Sequence, residues 1–471
     1  MYSRQMYAAI GSEVTVGTAV LPAVFFPFTS LDIVTQYKTN PSTSIIGNRT
    51  LNINPVKDLI EAPSGTIGIQ MEPKTLGYFL KGVYGAVSTG VYLPISSATG
   101  TFTVGETLTG GTSSDTATVI AVSAELDYVL VTLGSPIPTL VAGETLTGGT
   151  SGFTATLGTY ASTVFGHEFK APQNSLPTFT VEIGYDDRAY RYGGLRFNAL
   201  NSITHEDNIM TAELGVMALW EFKHATVTAI TTSGAGAKTI TVDQTTGLIA
   251  ADTIKVFRPS TGAFLDFSAA SVKTHTLGTV ASETTFTVTN LETSLAVGDL
   301  IVLAPQTATY TIGKEFSWIG GSVARLANTA TLALTASAAS VEEFELGLEN
   351  EMENRHAANG LNLVNRFPVK NHLKKLSGTG SIKLAYENNS LIERSRSATP
   401  TALHIKHTGE LITSTLYNSI EWRVPNVQFQ PFNPSVEEDA LLDQEISFDI
   451  YRSATSGYSH KALLINDVLS Y

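Results

Sequence analysis

The chain has 471 residues, only 15% of them charged, a formal net charge of −13 and no cysteine. That length exceeds a single small module and allows several cores, and the negative balance disfavours tight binding to a phosphate backbone. Without thiols, neither disulfides nor thiolate metal sites can hold the fold, and a composition dominated by Thr, Ser, Gly, Ala and Val favours short strands joined by tight turns, a mainly β chain.

Residues 1–20 lack the basic segment and long apolar run of a secretion signal. The apolar stretch 14–28 is broken by Gly17, Pro22 and Pro27, and no run reaches the roughly 18 to 20 apolar residues that span a bilayer. The expectation is a soluble protein made in a cytoplasm, without membrane contact, whose two glycosylation sequons arise by chance. PVKDLIEAPSGTIGI then begins at Pro55 and returns, without a gap, as PVKNHLKKLSGTGSI at Pro368. At that offset of 313, Pro55, Val56, Lys57, Ser64, Gly65, Thr66 and Ile69 meet identical residues, and Gly47 meets Gly360. Next, TLGYFLKGVYG from Thr75 sets Leu76, Phe79 and Leu80 on one face and ends on glycine, predicting a short helix.

Between about 88 and 171, GETLTGGTSSDTAT at Gly105 recurs as GETLTGGTSGFTAT at Gly143, a period of 38. Alternating Thr and apolar residues around a Gly-Gly turn predict a pair of β-hairpins. A second duplicated block follows at an offset of 232: Arg191, Phe197, Asn201, Glu206, Asp207 and Glu213 match Arg423, Phe429, Asn433, Glu438, Asp439 and Glu445. Residues 225–306 form another Thr-rich, strand-patterned segment, with TITVDQTTGLIAADTIKVF from Thr239 and the loosely similar TFTVTNLETSLAVGDLIVL from Thr285. The chain therefore divides into copy A (1–87 and 172–224), an insert (88–171), an all-β spacer (225–306) and copy B (307–471).

In copy B, SVEEFELGLENEME alternates Phe344, Leu346 and Leu348 with Glu343, Glu345, Glu349 and Glu351, a strand with one apolar and one acidic face. The acidic face is either an ordinary solvated surface or a channel wall that must not adhere to DNA. Its counterparts in copy A are Asp32, Gln36 and Lys38, a weaker stripe. Residues 354–376 carry Arg355, His356, Arg366, Lys370, His372, Lys374 and Lys375, a basic arm that reads as a solvated loop or as a contact to a stacked neighbouring subunit. Copy A carries Arg49, Lys57, Asp58 and Glu61 there. A second short helix is expected around Leu391 and Ile392, and ISFDIYRSATSGYSHKALLIND predicts a closing hairpin.

Chemistry-bearing motifs are missing. There is no phosphate-cradling G-x-x-x-x-G-K-[ST] loop, no G-x-S-x-G elbow and no H-E-x-x-H, and Gly234-Ala235-Gly236 lacks dinucleotide-binding spacing. His404 and His407 sit three apart in a strand, on opposite faces, and the acidic clusters Asp186-Asp187 and Glu437-Glu438-Asp439 lack calcium-loop spacing. Neither an enzyme nor a cofactor is expected.

The order of these residues resembles the major tail tube proteins of long-tailed bacteriophages. GSEVTVGTAVLPAVFFPFTSLDI, NPVKDLIEAPSGTIGIQMEPKTLGYFLKGVYG, PTFTVEIGYDDRAYRYGGLRFNALNSI and PNVQFQPFNPSVEEDALLDQEISFDIYRS carry the likeness, over about two thirds of the chain. The resemblance implies β-sandwich tube domains whose inner sheets join into a barrel around a channel that conducts DNA. It also implies a subfamily with two fused domains per chain, forming trimeric, pseudo-sixfold rings that stack into a virion tail. The implied partners are further copies of the chain, a tape measure protein and tail terminator or baseplate proteins; DNA passes without specific binding. Insert and spacer depart from that pattern. The competing reading is a secreted or surface-layer β-repeat adhesin, favoured by the Thr-rich modules and weakened by the missing signal peptide.

Overall fold

The computed structural model describes residues 6–37, 61–123, 125–133, 139–171, 174–205, 208–266, 273–327, 341–355, 370–385, 393, 395–397, 400–413, 415–432, 443–454 and 456–471. Within them the chain is mainly β, with 29 strands and the α-helix Leu76–Tyr84. No helix among the described residues is long and apolar enough to cross a membrane.

Eight strands form one antiparallel sheet. In spatial order they are Ser30–Tyr37, Glu61–Gln70, Thr211–Met217 and the distal half of Ala189–His205, then Val341–Arg355, Lys370–Ala385, Asp443–Ile450 and the end of Tyr417–Phe429. The first four belong to residues 1–224 and the last four to 307–471. Each set stands in the same order relative to its own chain direction: first, second, fourth, third. The seam between them is seven paired residues, from Ala199↔Glu349 to His205↔Glu343.

The two longest members of this pattern change layer partway. Before Phe197, Ala189–His205 pairs with Phe179–Gly184 on one side and Trp220–Phe222 on the other, and Phe179–Gly184 pairs in turn with Tyr7–Ser12. Tyr417–Phe429 likewise lies between Thr401–Leu411 and Lys461–Asn466, and Thr401–Leu411 continues to Gly321–Ala327. Register shifts at Phe197/Ala199 and Thr401/Leu403 mark the crossings, because an extra residue bends and twists a strand.

Period-two alternation drives the packing. Ile67, Ile69, Leu200, Leu214, Phe344, Leu346, Leu348, Ile446 and Phe448 all turn into a single core shared by both sets of strands. The helix fills that core between the layers: Phe79 meets Phe26 and Phe197 edge to face at ring-centroid distances of 5.1 and 5.7 Å. Gly82 permits this approach, since a Cβ there would stand 2.2 Å from the Phe197 ring. The expected helix is therefore present, whereas Leu391 and Ile392 lie outside the described residues.

The expected C-terminal hairpin is not formed. Asp443–Ile450 pairs with Lys370–Ala385 and Tyr417–Phe429, while Lys461–Asn466 pairs with Tyr417–Phe429 and Phe165–Lys170. Alternation and a turn residue fix where strands begin and end; they do not choose partners, and here the turn carries the chain from one layer to the other.

The insert and spacer strands each close into a six-stranded barrel. The cyclic order in the first is Val87–Ser96, Tyr128–Leu133, Thr116–Val122, Thr107–Gly110, Thr145–Gly148, Thr154–Leu157 and back. In the second it is Lys238–Thr241, Thr285–Val288, His275–Ser282, Thr253–Arg258, Leu300–Leu303, Ala225–Thr226, closing through the bridge Val227↔Val242. Numbered along the chain, the orders read 1-4-3-2-5-6 and 2-5-4-3-6-1: one barrel is a circular permutation of the other.

Four turns support that equivalence. Gly105, Gly143, Ala251 and Gly298 all have φ between +71° and +93°, and each precedes an acid. Glu106, Glu144, Asp252 and Asp299 then accept the N–H of the residue three back, at 2.6, 2.7, 2.7 and 2.8 Å. In the insert, the two acids are also exchanged between repeats. Glu106 accepts the Thr150 and Ser151 amides at 2.9 and 2.8 Å, and Glu144 accepts those of Thr112 and Ser113 at 3.0 and 2.9 Å. Burial raises both carboxyls and these donors more than reverse it, leaving each below its ordinary value.

Candidate functional site

The face of the eight-stranded sheet turned away from the core is polar and acidic. Directly opposed residues in an antiparallel pair share a face. Glu343, Glu345 and Glu349 therefore share one with Lys383, Ser381 and Ser377 on one side, and Glu345 and Glu349 with Ile203 and Ala199 on the other. Following the pairs outward adds Glu445, Ser447 and Asp449 at one end and Glu213, Thr66, Gly68 and Asp32 at the other. Glu349, Glu351, Glu213, Asp32 and Glu445 are exposed; Glu343 and Glu345 are half-buried.

Cations interrupt this face at specific points. Lys383 reaches Glu342 at 3.3 Å, and Lys374 bridges Glu351 at 3.3 Å and Glu353 at 3.2 Å. The hydrogen bond from Lys374 holds Glu353 below its ordinary value and raises the lysine. The Arg196 guanidinium donates to the Asn371 carbonyl at 2.7 Å.

The basic arm is shorter than its sequence span. Arg355 ends one strand, and Lys370, Lys374 and Lys375 lie in the next, with Arg355 opposite Lys370. Thus Lys374 belongs to the acidic hairpin's own ion pairs. His356 and Arg366 fall outside the described residues, as does Lys38.

Sequence reasoning matched Arg191 to Arg423 without assigning them a role. Both are 1% exposed, both sit before their long strand joins the eight-stranded sheet, and each grips one barrel. Arg191 bridges Glu182 at 2.7 Å to Asp252 of the spacer at 2.8 Å, and donates to the Gly247 carbonyl at 2.7 Å. Arg423 bridges Glu421 at 2.7 Å to Glu125 and Asp127 of the insert at 2.8 and 2.6 Å. Lys461 adds a second cation 3.0 Å from Glu125, and the Tyr458 hydroxyl donates to the same carboxylate at 3.1 Å. Burial opposes ionisation of Glu125 and Glu421, yet Lys461 and Arg423 hold the first low and Arg423 the second. A guanidinium repeated in register at the offset of 232 was the signal available in the sequence.

Among the described residues no group of three His, Asp or Glu could hold a metal ion. His404 lies 3.2 Å from Glu421 and 0% exposed, inside the Arg423 network, and His407 is buried beside Gly321. No family model matches the chain, and no curated protein is significantly similar to it.

Proposed function

We propose that the chain is a structural subunit of a phage-tail-like tube, in which three copies close a ring, rings stack, and the acidic sheet face lines a channel that conducts DNA. The observation that carries this reading is the seam. At the duplication's offset of 313, residues 30–36 correspond to 343–349, the segment whose edge receives residues 199–205. Among the described residues, Ser30–Tyr37 pairs only with Glu61–Gln70, so the equivalent edge of copy A is open. An open edge of that length is a template for another chain, and a repeat that pairs once within the molecule has the geometry to pair again between molecules.

The acidic face suits a conduit. Carboxylates repel a phosphate backbone, and the low dielectric of a protein wall strengthens that field inside a channel. The polymer would be guided without adhering. The partners implied by the sequence resemblance, a tape measure protein within the tube and terminator or baseplate proteins at its ends, belong to the same proposal, as does the virion tail as location. Electron microscopy of the purified full chain tests it: rings or stacked tubes are expected, and dispersed monomers at micromolar concentration overturn it. Substituting Glu343, Glu345, Glu349 and Glu351 with Lys leaves assembly intact and slows DNA passage on this reading.

A further inference from the structure

Residues 88–171 interrupt copy A in sequence but are seated on copy B in space. Phe165–Lys170, the last strand of the insert, lies between Val87–Ser96 and Lys461–Asn466, so the second layer of copy B, the one packed on the eight-stranded sheet, runs without a break into the inserted barrel. Beside that seam, Glu125 and Asp127 occupy the buried Arg423. The chain enters the insert directly after the helix Leu76–Tyr84, whose Tyr84 packs on Phe169 with ring centroids 6.2 Å apart and on His460 of copy B at 5.1 Å. The spacer behaves differently: its Asp252 returns to Arg191 of copy A, the copy it follows.

The geometry points to the insert as an intramolecular clasp. Arg423 and Lys461 form a socket for a loop bearing two carboxylates, Glu125 and Asp127, and filling it fixes copy A against copy B at the seam of residues 199–205 and 343–349. The two copies are joined by backbone pairing at that seam, by the bridges Phe25↔Tyr310 and Ile209↔Ser317, by the Asn466 amide donating to the Pro73 carbonyl at 2.6 Å, and again, through the insert, in the other layer. The insert adds a separate line to these direct contacts, and a hinge held along separate lines cannot turn about any one of them. This inference rests on contacts within one chain and needs neither ring nor channel.

Hydrogen exchange by mass spectrometry on the full chain tests it. In Arg423→Met, and separately in Glu125→Gln with Asp127→Asn, exchange is expected to rise about tenfold at 165–170 and 461–466 and, with them, at 199–205 and 343–349. Glu106→Gln with Glu144→Gln, which loosens the barrel away from the socket, leaves 343–349 protected. If the socket variants free 461–466 while 199–205 and 343–349 keep native protection, the insert only decorates copy B and the proposal is overturned. Native protection everywhere in the Glu125/Asp127 variant overturns it too, and that variant decides alone should Arg423→Met fail to fold.

Discussion

Acidification from pH 7 to 5.5 should remove about 4 kcal/mol of folding stability, through three buried imidazoles. Burial pushes His167 and His407 down to about 4 and His460 to about 3, and each is at most 3% exposed. In the unfolded chain all three titrate near about 6.5. Because the folded values are depressed, the unfolded state binds protons first, so the stabilisation is full above about pH 6.5 and falls as pH drops toward the folded values. At pH 5.5 an imidazole free to protonate in the unfolded chain gains about 1.4 kcal/mol, and the folded one gains almost nothing. The depressed carboxylates act in a separate window: Glu125 and Glu421 are ordinary acids when unfolded, so their contribution persists until pH falls below about 4.5. Urea unfolding at both pH values, on the wild type and on His407→Asn and His460→Asn, measures the effect. Each substitution should shrink the pH-dependent loss by about 1.2 kcal/mol whatever it does to stability at pH 7. An identical loss in wild type and variants, or stability that rises on acidification, would refute the assignment.

Three further outcomes follow from backbone and packing. Ala251 has a φ of +71° at the position where the three equivalent turns carry glycine, so Ala251→Gly should stabilise the spacer by about 1 kcal/mol, read as a higher urea midpoint. Gly82→Ala should cost about 1 to 3 kcal/mol despite alanine's better helix propensity, because its Cβ would overlap the Phe197 ring; thermal melting checks this. Glu106→Gln and Glu144→Gln should lower stability by similar amounts, about 1 to 3 kcal/mol each, since both carboxylates sit in matching sets of donors. Unequal losses would show that the repeat's symmetry is not energetic.

Local pattern was readable where burial is one-sided. The alternation of Phe344, Leu346 and Leu348 with glutamates located a strand and its core face, and the 38-residue repeat located two hairpins, Thr107–Gly110 with Thr116–Val122 and Thr145–Gly148 with Thr154–Leu157. Pairing was not readable. Nothing in ISFDIYRS or KALLIND says that those strands belong to different layers, since a strand's two edges carry the same backbone groups whatever its side chains. The basic arm was overextended for a related reason: Lys370, Lys374 and Lys375 do not alternate with apolar residues, so the pattern hid the start of a strand where Lys374 pairs with Glu351 and Glu353 of its neighbour. Arg191 and Arg423 were visible as a matched pair, but their partners Asp252, Glu125 and Asp127 come from segments with no sequence relation to either copy.

In each barrel the first and last strands are immediate neighbours: Val87–Ser96 beside Thr154–Leu157, and Ala225–Thr226 beside Leu300–Leu303. Entry and exit therefore lie on adjacent strands, and the host meets the unit across about two strands' width. Such a unit is portable: it can be spliced into a loop, or follow a finished domain, with its ring cut open at whichever turn the recipient supplies, and here each recipient meets it with one buried arginine.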